Sequence, residues 1–282
     1  MAPLNTYLHE RPMKALIGGR SGTGKTCLAL SLLQAGYRLN ILDLESKIHP
    51  LAALAYNRGY GNYLEQLTDV QTIAPAFRSI GDKIGRDPTF PVWSYIQQCL
   101  MNWPGKGSIY NWTGDDVLII DSLTAISAAS HAAAKIELSG SKDGWGRDIG
   151  MAQDAIETLF ELLRADSVRC NVIVLCHLEP VQSTEYGTEM WPSLPGRKLA
   201  PKSANYFDIG GLTQSFPAAN GLQEYSFTCF PRPGYGYLKC PETYVPVPPN
   251  LPSDIALGWL LEAIRRRPGP SGLTYFPQGF YG

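Results

Sequence analysis

The strongest constraint on the fold is an eight-residue run near the start of the chain. Gly19-Arg-Ser-Gly-Thr-Gly-Lys25-Thr26 satisfies G-x-x-x-x-G-K-[ST] at every fixed position. A short apolar stretch, Lys14-Ala-Leu-Ile-Gly18, precedes it, and helical spacing follows over residues 25–35, with Gly36 as the stop. A strand that turns through glycines into a helix aims a row of backbone N–H groups, and the positive end of the helix dipole, at one point. Gly19, Arg20, Ser21, Gly22, Thr23, Gly24, Lys25, Thr26 and Cys27 are therefore expected to cradle the phosphates of a nucleotide, ATP. Lys25 is expected to reach the β- and γ-phosphates and the Thr26 hydroxyl to ligate Mg²⁺.

The remaining pattern alternates strands with helices. Leu39–Leu44, Val117–Asp121 and Asn171–Cys176 are short apolar runs of the kind found in parallel strands buried on both faces. Helices are expected near 92–102, 122–138 and 149–166, the last with Ile149, Ala152, Ile156, Leu159, Phe160 and Leu163 on one face. Residues 47–102 otherwise mix short helices with turns, and 178–204 read as a long loop or ribbon. Strands near 208–215, 223–230 and 236–239 lack intervening helices, which predicts an antiparallel extension at one sheet edge. Ten of the 22 prolines follow Phe230. The chain is accordingly divided into an arm at 1–12, a core at 13–245 and a Pro- and aromatic-rich tail at 246–282 with one helix near 253–267.

Lysine and arginine number 24 against 25 acidic residues, a net charge of −1 that excludes a uniformly basic nucleic-acid coat. The 44% hydrophobic content suffices for a large core and excludes global disorder. The six cysteines form no CxxC pair, so reduced thiols and a cytoplasmic setting are expected. No signal-peptide pattern opens the chain, and no apolar run approaches the ~18 residues of a membrane span.

Strand ends supply the remaining candidates. Asp121 closes the Val117 run and is placed to hold Mg²⁺ opposite Thr26. Glu45 follows the second strand at the crevice end and is a candidate to orient and deprotonate water, with Asp43 as its competitor. His177 ends the Asn171 strand, placed to sense the γ-phosphate or to contact the loop that follows.

Val117-Leu-Ile-Ile-Asp-Ser-Leu-Thr-Ala-Ile126 resembles the Walker B region of RecA, and Asp43-Leu-Glu45 is similar to RecA's Asp-x-Glu, whose glutamate activates water. More narrowly, the chain resembles phage-encoded RecA-like proteins of the single-strand-annealing and recombinase type, within the RecA/RadA superfamily. That closer likeness is carried by Trp145-Gly-Arg, His177, Leu194-Pro-Gly-Arg-Lys198, Phe207-Asp208 and Tyr237-Leu-Lys239. The resemblance covers about residues 13–240. It implies an α/β RecA-like P-loop NTPase core, with a mostly parallel central sheet, helices on both faces and an antiparallel edge extension. It further implies a ring or filament with ATP between protomers, where Lys239 of one protomer reaches the γ-phosphate held by the next. RecA-like proteins usually have Lys-x-Arg there, whereas this chain has Lys239-Cys240-Pro241, with Arg232 as a substitute.

In such assemblies single-stranded DNA is bound by two loops, here about 139–147 and 182–203. The first carries Lys142, Trp145 and Arg147, and the second carries Tyr186, Trp191, Arg197, Lys198 and Lys202. Cations beside aromatics suit sequence-tolerant binding. Arg265-Arg266-Arg267 is expected to be a solvated helix end. The expected activity is DNA-stimulated, Mg²⁺-dependent ATP hydrolysis coupled to annealing or strand exchange in recombination. A single-strand-binding protein is a further partner, and the host cytoplasm is the setting if the protein is phage-encoded. The rival expectations are a helicase or packaging motor, and an ATP-switched assembly protein that docks through its tail.

Overall fold

The computed structural model describes residues 12–74, 77–80, 83–86, 92–139, 146–183, 187–196, 198–218, 223–240 and 247–276. Except for Pro12, the arm at 1–12 lies outside them.

The apolar runs form the strands that their patterns predict. β1 spans Lys14–Gly18, β2 Arg38–Asp43, β6 Asp116–Asp121, β7 Asn171–Cys176 and β10 Ile209–Pro217. Every residue of β1, β6 and β7 is buried. They belong to an eight-stranded sheet of order β12-β11-β10-β1-β7-β6-β2-β3, with β3 at Thr68–Thr72. The pairings from β10 through β3 are all parallel, while β11 (Gln223–Thr228) and β12 (Leu251–Pro252) continue the sheet antiparallel. The chain is thus α/β with a mostly parallel sheet and an antiparallel edge.

Side chains alternate along each strand between two cores. Ala15, Ile17, Leu39, Ile41, Val117, Ile119, Ile173 and Leu175 face one way. There they pack on α1 (Ala29–Gln34), entered through a 3₁₀ turn at Thr26–Leu28, on α2 (His49–Asn57) and on α8 (Ala256–Arg265). Leu16, Leu42, Leu118, Ile120, Val172 and Val174 face the other way, onto α4 (Val92–Met101), α5 (Leu123–Glu137) and α6 (Arg147–Arg164). The α6 stripe holds at Ala152, Ile156, Leu159, Phe160 and Leu163 but not at Ile149, which is 36% exposed.

Two expectations change, and a third is made definite. Residues 47–102 contain a sheet strand, β3 (Thr68–Thr72), after α3 (Gly61–Leu67), and a hairpin of β4 (Phe77–Ile80) and β5 (Lys83–Arg86). Of the loop or ribbon expected over 178–204, the structure shows a ribbon, in which β8 (Leu178–Ser183) pairs with β9 (Gly187–Pro192), followed by the short α7 (Leu199–Ser203). Residues 236–239 make no strand, and only a bridge joins Lys239 to Gly210.

The largest correction concerns residues 247–276, which are core and not appendage. Leu257, Leu260 and Leu261 are buried beside Leu28 and Leu32. Ser31 Oγ accepts the Gly258 N–H at 3.0 Å, and the Tyr275 hydroxyl donates to Ser31 O at 2.9 Å. Tyr275 and Phe276 are therefore packed and not free to dock. The arginine triplet is split by the same packing. Arg265 is only 5% exposed and donates to Gly114 O at 2.9 Å, Asp115 Oδ1 at 3.2 Å and the Tyr37 hydroxyl at 3.3 Å.

This network predicts that Arg265→Ala costs about 2–4 kcal/mol, because it strands buried acceptors. Arg266→Ala, at an exposed position, is expected to stay within about 0.5 kcal/mol of wild type. Urea unfolding of the two variants measures the difference.

Candidate functional site

In a sheet of parallel strands every carboxyl end lies along one edge, and a ligand crevice opens there. The glycine-rich loop leaves the end of β1 at this edge. Gly22 (φ +77°) and Gly24 (φ +80°) take left-handed conformations that a side chain would strain. At Gly19 a Cβ would fall 2.2 Å from Thr213 Oγ1. Thr23 Oγ1 donates to Arg20 O at 2.8 Å and meets Thr213 Oγ1 at 2.7 Å, so the loop is braced against β10. Lys25 is buried, and its ammonium folds back onto Gly19 O and Arg20 O, both at 2.9 Å. Desolvation lowers its pKa, so phosphate oxygens would be better partners than the loop's carbonyls.

Asp121 arrives from β6, separated from β1 by β7. It accepts a hydrogen bond from Thr26 Oγ1 at 2.6 Å, and a cis peptide joins it to Ser122. Burial pushes its carboxyl above the ordinary value, and the charges of Glu45 and Asp43 add to the rise. A hydroxyl and a carboxylate in contact form a hard oxygen pair of the kind that suits Mg²⁺. Among the described residues no cluster of three or more His, Cys, Asp or Glu forms a separate metal cage.

Glu45 lies beyond the end of β2, and its neighbours converge from three segments. Ser122 Oγ donates to Oε1, His177 Nε2 is 3.5 Å from the same oxygen, and Lys47 Nζ donates to Oε2 at 2.5 Å. Burial raises its pKa, but the hydrogen bonds from Lys47 and Ser122 and the charges of Lys47 and His177 outweigh that and hold the carboxyl below its ordinary value. Asp43 has a different job. Its Oδ1 accepts the N–H groups of Glu45 at 3.2 Å and Lys47 at 3.1 Å, closing the turn that carries Glu45. The His177 backbone N–H donates to Thr124 Oγ1 at 3.1 Å, which fixes the end of β7 against α5.

The structure therefore gathers Lys25, Thr26, Asp121, Glu45 and His177 along one edge. Lys239 does not join them. Its backbone pairs with Gly210 and its ammonium donates to Phe207 O at 3.0 Å, at the opposite end of β10 from the glycine-rich loop. Arg232 lies over the Tyr235 ring, 4.9 Å from the centroid.

Trp191 is half-buried. Its ring sits where a Cβ on Gly236 would fall 2.1 Å away, and its N–H donates to Glu189 at 3.3 Å. It packs between the β8–β9 hairpin and residues 234–238. Arg147 and Lys198 are exposed, and Lys202 lies 4.0 Å from Glu157. Lys142, Trp145, Tyr186 and Arg197 fall outside the described residues.

Ser122, Lys47, Thr124 and Thr213 escaped the sequence reading. Ser122 and Lys47 had a local signal, since each sits within two residues of a candidate acid. Thr213 had none, because only the sheet brings it to the loop. No family model and no curated protein matches the chain.

The raised pKa of Asp121 has a consequence for stability. The folded state holds this proton more tightly than the unfolded state, so stability falls as pH rises through the folded pKa. Asp121→Asn removes that penalty. The variant is expected to melt higher than wild type at pH 7 without added Mg²⁺, with the gap shrinking toward pH 4, by scanning fluorimetry.

Proposed function

We propose that the chain is a Mg²⁺-dependent ATPase with a RecA-like core. The observation that carries the reading is the 2.6 Å contact between Thr26 and Asp121, at the mouth of a glycine-rich phosphate cradle. Two protein oxygens suffice for Mg²⁺, which keeps several waters and takes its other ligands from substrate phosphates. When bound, the ion neutralises charge developing on the transferred phosphoryl group. Glu45 accepts a proton from the attacking water, ionised at neutral pH and oriented by Ser122, Lys47 and His177. Lys25 leaves the loop carbonyls for the β- and γ-phosphate oxygens.

The finer part of the proposal rests on the resemblance of residues 43–45 and 117–126 to RecA, and of the chain to phage recombinases. On that reading protomers assemble on single-stranded DNA and promote annealing or strand exchange. Lys239, held away from its own cradle, then serves a neighbour's nucleotide. Arg147, Lys198 and Lys202 supply cations to the DNA backbone. A net charge of −1 is compatible with this, since repetition of a few cations per protomer builds the affinity.

Phosphate release in the presence of Mg²⁺ tests the first part. Lys25→Ala is expected to abolish turnover. Glu45→Gln is expected to keep ATP binding while turnover falls about 10²–10⁴-fold, the usual weight of a general base. A Lys25→Ala protein with normal turnover overturns the assignment.

Filter binding of labelled single-stranded DNA, with and without ATP, tests the second part. Retention that weakens steeply with salt is expected. Absence of binding in every nucleotide state removes the recombination role and leaves the ATPase proposal standing.

A further inference from the structure

A triphosphate has a direction in this site. The groups for the metal and the terminal phosphate, Asp121, Glu45 and His177, belong to the ends of β6, β2 and β7, all on one side of β1. A nucleotide threaded through the cradle with its γ-phosphate there sends its nucleoside toward the other side, where β10 and β11 lie.

That side is built out beyond the other strands. Gly18, the last residue of β1, pairs with Leu212, so Thr213–Pro217 continue past it, and β11 pairs with them throughout. Five extra residues amount to about 16 Å of two-stranded ribbon beside the cradle. Its base is locked to the loop by the Thr213–Thr23 contact at 2.7 Å. Thr213 pairs with Phe227 and Ser215 with Tyr225, so these four side chains share the face turned toward the loop.

Phe227 on that face is fully buried, while Tyr225 is 42% exposed. The Tyr225 ring lies against Gly24, where a Cβ would come within 3.1 Å of Cδ1. The glycine before Lys25 thus serves two needs, its left-handed backbone and room for the ring. A large aromatic on a strand, with one edge on the phosphate cradle and much of its surface open, has the form of a stacking platform.

We propose that Tyr225 stacks against the base of the nucleotide whose phosphates the cradle holds. The inference rests on the ATP-binding reading and goes beyond it by assigning the nucleoside end of the site. Stacking needs only a π-face, so the platform favours purine over pyrimidine triphosphates through their larger surface without reading individual base edges.

The test compares ATP with inorganic tripolyphosphate, both with Mg²⁺, by titration calorimetry on the full chain. Wild type is expected to bind ATP more tightly than tripolyphosphate. Tyr225→Ala is expected to lose about tenfold or more in ATP affinity, the size of one base–aromatic stack, while tripolyphosphate affinity stays within about twofold. Tyr225→Phe is expected to keep the ATP affinity.

Unchanged ATP affinity in Tyr225→Ala overturns the proposal. So does an equal loss for both ligands, which would make Tyr225 a brace for the loop. If wild type binds tripolyphosphate as tightly as ATP, the stacking role falls and the phosphate cradle stands. If wild type binds neither ligand, the ATP-binding reading itself falls, and Tyr225's role with it.

Discussion

A parallel sheet can be stable only when both faces are covered, because each strand must be re-entered through a crossover that lies on one face or the other. In this chain that requirement leaves β1, β6 and β7 buried throughout and spreads two cores over opposite faces. It also aligns the carboxyl ends of the parallel strands, so polar residues that cannot enter either core collect along one edge. Asp121, Glu45 and His177 meet there because their strands end there, and Thr26 joins them because the loop after β1 turns into its helix at the same edge.

The edge is electrostatically uncomfortable on its own. Asp121 is a buried acid whose pKa is raised by desolvation and by the charges of Glu45 and Asp43. Lys25 is a buried base whose ammonium donates to the carbonyls of its own loop. A metal ion beside the acid and phosphate oxygens beside the base would relieve both. Such local conflicts are where natural sequences depart from the most stable choice. Glu45 is the exception. Its hydrogen bonds from Lys47 and Ser122 already satisfy it.

Much of this was legible in the residue order, though unevenly. The Gly19–Thr26 pattern was recognisable because a glycine-rich loop is a local structure, made within eight residues and framed by its own strand and helix. The strands Lys14–Gly18 and Asn171–Cys176 were read to the residue, since burial on both faces leaves a continuous apolar run. β3 (Thr68–Thr72) was missed because an edge strand, half-exposed along its length, has no such run. The triplet at 265–267 looked solvated because charge is the local signal. Burial of Arg265 depends on Tyr37 and Gly114, some 150 residues and more away.

The sequence by itself determined the glycine-rich loop, the α/β alternation and the acids at the strand ends, because each depends on neighbours within a few residues. Tertiary structure decided how each acid is held. Asp43 and Glu45 are two residues apart, yet one closes a turn and the other faces Ser122 and His177, contributed by different strands. It also decided that residues 247–276 are core, that Trp191 is packed against Gly236, and that Tyr225 stands open beside Gly24. Those outcomes depend on strand register and on packing between distant segments, and neither leaves a trace in local residue order.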